Sequence, residues 1–361
     1  MIVQANLTQS CSSTIVNEQG AEVLNFIESH LRLNENTPSL LLDTSSHLNL
    51  RSLKNLHGLF YEKIDNVINL KRLNDLKYVN KFLEETNEAL SLGGSLVGHI
   101  ETLRNRKERI IKKYPRPLNR VAYFLDFLVK RVFPKFRYTK TFYFFLTQGK
   151  NRVISEMEIY GRLYSCGFEL TASQEINGKL WLIGKKIREP AYNNEATYGP
   201  LIKLRRHGRD NELFKVYKLR TMYPYSEYLQ SYISVKYGLQ KGGKFKDDPR
   251  VTTAGKFFRK FWIDELPMFI NVIKGEMKIF GVRPLSSHYL GLYPEHLKEL
   301  RAKVKPGLIP PFYSDLPETL KEITDSEEAY LLAYMKSPLL TDVRYMAKAL
   351  HNIIIKRARS N

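Results

Sequence analysis

Cysteine is nearly absent: Cys11 and Cys166 are the two in 361 residues. They stand far apart, which excludes a disulfide framework and a cysteine metal site and makes a reducing compartment the natural reading. Long apolar runs are missing as well. No uninterrupted stretch reaches the roughly 18 residues of an ordinary transmembrane helix. The first twenty residues lack the basic region and apolar run of a signal peptide, so none is expected. No two histidines have metal-ligand spacing. Acidic charge is short, with 37 Asp and Glu against 57 Lys and Arg, a net of +20. The length suffices for two domains, each with its own core.

The excess charge is concentrated. Residues 101–150 hold 14 Lys or Arg against 3 Asp or Glu, a net of +11. Positive charge attracts nucleic acid and anionic membrane alike. No nucleic-acid-binding motif accompanies it, so nucleic acid is the weaker partner. Within the segment, Val121, Phe124, Leu125, Leu128 and Val132 recur at helical spacing, and TKTFYFFLTQ (139–148) adds aromatics. Basic residues beside an aromatic, amphipathic helix suit an anionic membrane surface. A core helix with a solvated basic face is the equal alternative.

The richest stretch is DDPRVTTAGKFFRKFWIDELPMFINVIKGEMKIFGVRP (247–284). It sets Asp264 and Glu265 side by side with Arg250, Arg259 and Arg283 around them. Carboxylates hold divalent cations or attack phosphorus, and arginines clamp phosphates, so the set points to phosphate chemistry. Leu266, Phe269, Ile270 and Ile273 follow at i, i+3, i+4 and i+7, which predicts a helix with that face packed inward. Pro267 fits only the first turn and places the start near Asp264; Gly275 is the stop. Asp264 then reads as a helix N-cap, at an end that also favours anions.

IDELPMFINVIKGEMKIFGVRP resembles the signature of bacterial sugar transferases, the monotopic polyprenyl-phosphate phosphoglycosyl transferases. LFKVYKLRTM (213–222), DDPRVTTAGKFFRK, the first half of VKPGLIPPF (304–312) and the closing helix with Tyr330 and Asp342 resemble further motifs of that family. The likeness spans residues 198–361, and several ordered motifs agree. It implies transfer of a phosphosugar from a UDP-sugar to polyprenyl phosphate with Mg²⁺, at the cytoplasmic face of the bacterial inner membrane. Such reactions begin capsule, O-antigen or exopolysaccharide assembly. Carried over, Asp264 is the nucleophile that forms a covalent phosphosugar intermediate. Glu265 holds Mg²⁺ with Asp264 or orients it. Arg259 and Arg283 contact phosphate, Lys218, Arg220 and Arg250 do similar work, and Lys260 is left on a solvated face.

The chain departs from the family pattern at three places. IREPAYNNEATYGPLIKLRR (187–206) is polar where members carry a hydrophobic re-entrant helix, and no such helix is expected from it. Phe261 and Trp262 replace small hydroxyl residues. Leu308 to Phe312 lack the Gly and Gln of the family's block, so sugar choice is expected to lie around Phe261, Trp262 and residues 309–312. The basic aromatic segment, residues 117–148, is the candidate replacement anchor. His207 marks a hairpin turn, and His288 is a minor candidate for the phosphate site.

Residues 1–190 read as α/β. SLLLDT (39–44) and KIDNVINL (63–70) are buried strands, residues 76–90 a helix, and SLGGSLVGHIE (91–101) a Gly-Gly turn and a third strand. Strand–helix alternation predicts parallel pairing. Residues 155–186 predict a capped helix, a turn at Gly167 and a hairpin at Asn177-Gly178. The order weakly resembles the second half of a methyltransferase-like Rossmann fold. The glycine loop is missing, so a degenerate, non-catalytic domain is expected, with Asp43 a turn residue. The expected class is therefore α/β: an N-terminal Rossmann-like parallel sheet domain plus a C-terminal α+β phosphoglycosyl transferase domain without the re-entrant helix. Two functional classes stay open, the enzyme and a non-catalytic or altered-acceptor relative serving as a scaffold in a glycan-assembly complex. Homo-oligomerisation stays open too.

Overall fold

The structure, a computed structural model, describes residues 3–5, 8–31, 37–46, 64–193, 198–237 and 247–355. The chain forms two compact units. Unit 1 is Met1–Tyr198 with Tyr223–Ile233; unit 2 is Gly199–Met222 with Ser234–Asn361.

Unit 1 is built on a mixed sheet of order β1-β2-β3-β4-β6-β5. Its strands are β1 (Val3–Ala5), β2 (Ser39–Leu42), β3 (Ile64–Asn69), β4 (Leu90–Ile100), β5 (Phe168–Ile176) and β6 (Lys179–Lys186). As the strand–helix alternation predicts, β2, β3 and β4 pair in parallel. The closing hairpin inserts β6 between β4 and β5, antiparallel to both. Asn177 and Gly178 both take positive φ at its tip, the type I′ geometry that matches strand twist. Helices α1 (Thr8–Gln19) and α2 (Ala21–Glu28) bury Ile15, Val23, Phe26 and Ile27 against Leu41, Ile68, Val97 and Trp181 of the sheet. His99 stacks on Trp181 at 4.3 Å. Burial, then the charges of Lys179 and Arg72, push this imidazole down to about 3, so it is a neutral core residue.

Helix α3 (Val79–Ala89) buries Val79, Phe82 and Leu83, the periodic positions. Three helices follow β4: α4 (Leu103–Lys113), α5 (Leu118–Phe127) and α6 (Arg137–Thr147). Helix α7 (Glu156–Ser165) is capped by Ser155, whose side chain accepts from the Glu158 amide. The segment Tyr223–Ile233 packs on α7, where a Cβ on Gly161 would meet the Tyr225 carbonyl oxygen at 2.4 Å. Tyr225, Leu229 and Ile233 are buried there.

One strand boundary differs from expectation. Gly93-Gly94 is not a turn but lies inside β4, at a register shift against β3. A Cβ on Gly94 would stand 2.9 Å from the Asp65 carbonyl oxygen. The glycines allow a close backbone approach at a bulge, which local sequence does not distinguish from a turn.

Unit 2 holds the hairpin of β7 (Leu201–His207) and β8 (Leu213–Leu219), and the parallel pair of β9 (Lys278–Phe280) and β10 (Gly307–Ile309). Gly281 and Gly307 let the second pair close: a Cβ on Gly307 would lie 2.1 Å from the Gly281 nitrogen. The GVRP and KPG motifs are thereby brought together. Helices α8 (Thr253–Lys260), α9 (Phe269–Ile273), α10 (Glu295–Ala302), α11 (Leu320–Lys336) and α12 (Pro338–Ile354) complete the unit. Phe280, Val282, Leu297, Tyr330 and Leu331 form its core. Tyr330 donates to Asp342 at 2.6 Å, and Lys278 reaches the same carboxylate at 2.9 Å, which ties β9 to the closing helices.

The helix after the carboxylates is corrected in two respects. Residues Ile263–Met268 form a 3₁₀ helix with Pro267 inside, and the α-helix begins at Phe269. Leu266, Phe269, Ile270 and Ile273 face outward, Ile273 at 86% exposure, while Asn271 is fully buried. The reason is a polar anchor. Asn271 Nδ2 donates to the Lys215 carbonyl at 2.8 Å, and its Oδ1 accepts from the Tyr217 amide at 3.1 Å. One carboxamide completes the exposed edge of β8, and a buried amide with both groups satisfied is stable. Gly275, at φ +72, is the stop as expected.

Among the described residues of 187–206 there is no helix before β7. No helix among the described residues is long and apolar enough to cross a membrane.

Candidate functional site

β8 carries Lys218 toward the 3₁₀ helix. Its Nζ donates to Glu265 Oε1 at 2.7 Å. Arg283, delivered by the turn after β9, stands 3.8 Å from the same oxygen. Glu265 is therefore the common partner of two cations from two different elements.

Asp264 is not a helix cap. Trp262 occupies the cap position, in the left-handed region at φ 53, and makes no side-chain capping bond. That conformation is costly for a bulky residue. Trp262 is held by a bond from its Nε1 to Tyr313 OH at 3.1 Å and by an edge-to-face ring contact at 5.8 Å. Asp264 itself is half-buried. Burial pushes its carboxyl above the ordinary range; the Lys218 charge opposes this, Glu265 adds to it, and Arg259 opposes it weakly.

Arg259 is fixed by close helix packing. Thr252 caps α8 and bonds to the Thr221 carbonyl through its amide at 2.9 Å. A Cβ on Gly255 would sit 2.0 Å from that carbonyl oxygen, so glycine is what lets α8 approach. One turn later Arg259 Nε donates to Thr221 Oγ1 at 3.0 Å. Burial lowers the Arg259 guanidinium, and the charges of Asp264 and then Asp248 raise it. Lys260 is exposed, as expected.

Two of the predicted phosphate contacts have other partners. Arg250 is buried and forks onto Asp248, with Nη2 to Oδ2 at 2.7 Å. Burial would raise the Asp248 carboxyl, but Arg250 hydrogen bonds and charge hold it below its ordinary range. Arg220 donates from Nε to the Gly199 carbonyl at 3.0 Å and from its amide to Pro200. His207 ends β7 and pairs with Ser287 Oγ at 2.9 Å; His288 is exposed on the short helix Ser287–Gly291.

Sequence reasoning missed Thr221 and Arg206. Thr221 orients Arg259, and its signal was the LRTM motif facing Gly255. Burial, then the Arg283 charge, lowers the Arg206 guanidinium, which marks a second arginine beside Arg283. Arg301 donates to the Arg283 carbonyl and pairs with buried Glu327, so it props the turn that carries Arg283.

Phe257, Phe261, Leu266, Phe269 and Ile270 are exposed around the carboxylates. Trp262, Ile309 and Phe312 pack against the main core cluster of unit 2. No group of three or more His, Cys, Asp or Glu among the described residues could cage a metal. Asp264 and Glu265 together could offer hard oxygen donors to an ion that takes its other ligands from water and phosphate.

Asp264 is thus a half-buried carboxylate beside Glu265, which Lys218 and Arg283 approach, with the Arg259 charge also acting on Asp264. Residues 192–356 match the bacterial sugar transferase family. It is 41% identical over 105 residues to galactosyl transferase CpsE of Streptococcus agalactiae, covering 28% of this chain and 23% of that protein. It is 38% identical over 108 residues to undecaprenyl-phosphate galactose phosphotransferase of Salmonella typhimurium, covering 28% and 22%. Against exopolysaccharide production protein ExoY of Sinorhizobium fredii it is 38% identical over 109 residues, covering 29% and 48%. The matches thus span less than half the length of each of these relatives.

Proposed function

We propose that unit 2 is a phosphoglycosyl transferase that moves a sugar-1-phosphate from a UDP-sugar to polyprenyl phosphate. The observation that carries this reading is Asp264: half-buried, released from any capping role, and raised in basicity beside the clamped Glu265. In the first displacement an Asp264 carboxylate oxygen attacks the sugar-linked phosphorus. The bond to the bridging oxygen breaks, UMP leaves, and an aspartyl phosphosugar forms. In the second, a phosphate oxygen of the lipid attacks the same phosphorus and frees Asp264. Splitting the transfer lowers each barrier. Arg259 and Arg283 neutralise the approaching diphosphate, and Lys218 holds Glu265 in place. Asp264 and Glu265 would hold Mg²⁺, which supplies charge neutralisation on the diphosphate when bound. The exposed apolar side chains beside the pair suit an acceptor with a hydrocarbon tail.

The names of two relatives, an exopolysaccharide production protein and an undecaprenyl-phosphate galactose phosphotransferase, support a role in exopolysaccharide assembly on a lipid phosphate; we extend it to capsule or O-antigen initiation at the cytoplasmic face of the inner membrane. We assign unit 1 as a degenerate Rossmann-like domain without catalysis of its own, because its parallel strands carry no glycine-rich cofactor loop. Calorimetric binding of S-adenosylmethionine would overturn that assignment. For unit 2, the protein is incubated with UDP-sugars, Mg²⁺ and undecaprenyl phosphate, and UMP is measured. Release that survives Asp264→Asn removes Asp264 as nucleophile. No release with any UDP-sugar leaves the scaffold reading.

A further inference from the structure

Helices α5 and α6 of unit 1 turn many of their large apolar side chains outward, alongside exposed Arg120 and Lys140. In α5, Asn119 is buried and Asp126 is taken by Arg106 Nε at 2.6 Å and Nη2 at 2.7 Å. Leu118, Val121 and Leu125, at spacings of three and four, stand exposed with Phe124 between them. In α6 only Tyr143 is buried among the large side chains described, and Tyr138, Phe142, Phe145 and Leu146 are exposed, Tyr138 at 90%. The turn between the helices is pinned from beneath, since buried Arg131 bonds Glu158 and the Val153 carbonyl at 2.8 Å. These apolar faces therefore belong to firmly packed elements.

Charge around the faces is one-sided. Lys107, Lys112, Lys113, Arg116, Arg120 and Lys140 are exposed. Of the three acids in residues 101–150, Glu101 is buried against Arg106 and Arg109, and Asp126 is neutralised by Arg106. Glu108 alone is left exposed. Aromatic and aliphatic side chains framed by lysine and arginine match the boundary between acyl chains and anionic headgroups. A second copy of the chain is a poor occupant, because a two-fold contact would set like charge against like charge.

We propose that α5 and α6 form a docking surface for an anionic phospholipid bilayer, with Leu118, Phe124, Phe142 and Phe145 entering the acyl boundary. The inference stands independently of the role of Asp264. The full chain is sedimented with phosphatidylcholine vesicles and with vesicles containing phosphatidylglycerol. Partition is expected to favour the anionic vesicles and to weaken with salt. Leu118→Ser, Phe124→Ser, Phe142→Ser and Phe145→Ser combined should lower it by about tenfold or more with an unchanged melting temperature. Because apolar side chains of unit 2 are exposed too, a local reporter is needed. In Phe145→Trp, bromolipid in the vesicles should quench fluorescence beyond the baseline of Trp181 and Trp262. Absence of that extra quenching overturns the proposal. So does a wild-type dimer that the four substitutions dissolve while vesicle partition stays within twofold.

Discussion

Each unit surrounds a glutamate or aspartate with basic side chains, and the outcomes are opposite. In unit 1, Glu158 is buried among Arg131, Arg162 and Lys135, with Arg162 Nη2 at 2.9 Å. Burial alone would raise its carboxyl, but the three charges outweigh burial and hold it far below the ordinary range. In unit 2, Asp264 is only half-buried, yet its carboxyl is raised. Lys218 is spent on Glu265 and Arg259 on Thr221, so Asp264 is left under-compensated. Complete pairing makes a carboxylate structural. Incomplete pairing in a half-open setting keeps it basic and available, the condition expected at a reacting group.

The sharpest way to break the comparison is to remove each carboxylate's charge. Asp264→Asn should abolish UMP release by about 10⁴-fold while leaving the melting temperature unchanged or higher. The sign follows from linkage: a carboxyl raised in the folded state favours folding at pH below its unfolded value and loses that contribution as pH rises through the folded value. At neutral pH its charge opposes folding, and the amide removes the opposition. Glu158→Gln should do the reverse, costing about 3–5 kcal/mol in unit 1 by leaving buried arginines unpaired, read as a lower urea midpoint. The stabilisation from Glu158 is present above its unfolded value near about 4.3 and is lost as pH falls toward the depressed folded value, so the variant's acid unfolding should be flatter.

A geometric prediction comes next in size. In Gly255→Ala the added carbon collides with the Thr221 carbonyl, α8 shifts, and Arg259 leaves Thr221. A loss of about 10²-fold in kcat/KM for UMP release is expected, since small misplacements carry that order of effect. Smallest is a pair of opposed shifts in the acid limb of kcat/KM, which reports free-enzyme groups. The limb should lie above the ordinary aspartate value of about 3.9. Lys218→Met removes the opposing cation and should move the limb up. Glu265→Gln removes the neighbouring anion and should move it down. Shifts of equal sign would contradict the account of Asp264.

Much of unit 1 was readable because short-range rules decide it. The apolar runs became β2 and β3, the periodic positions of α3 went inward, and Asn177-Gly178 made the hairpin. In unit 2 the motif order singles out Asp264, Glu265, Arg259 and Arg283, and the fold brings Arg283 to 3.8 Å from Glu265. The errors share a cause. Periodicity shows that a helix has two faces but not which one meets protein. At Leu266 to Ile273 the interior side is chosen by Asn271, whose amide completes β8, and no spacing rule announces a polar anchor. The roles of Thr221, despite its motif, and of Arg301 were hard to read for a related reason. Each acts by holding another residue, and the partner lies tens of positions away in sequence.

The short stretch Tyr223–Ile233 has a consequence for inheritance. It lies within the sugar-transferase-like sequence, yet it packs into unit 1, where Tyr225 fills the space left by Gly161. The chain thus passes between its units three times, and neither unit is a continuous cassette. A recombination that swapped the transferase region at a single junction near Tyr198 would carry this stretch away. It would strip unit 1 of the cover over Gly161 and bring in a foreign segment that has to fit the same groove. The two regions are therefore bound to change together, and a hybrid is expected to fold only where that stretch is retained.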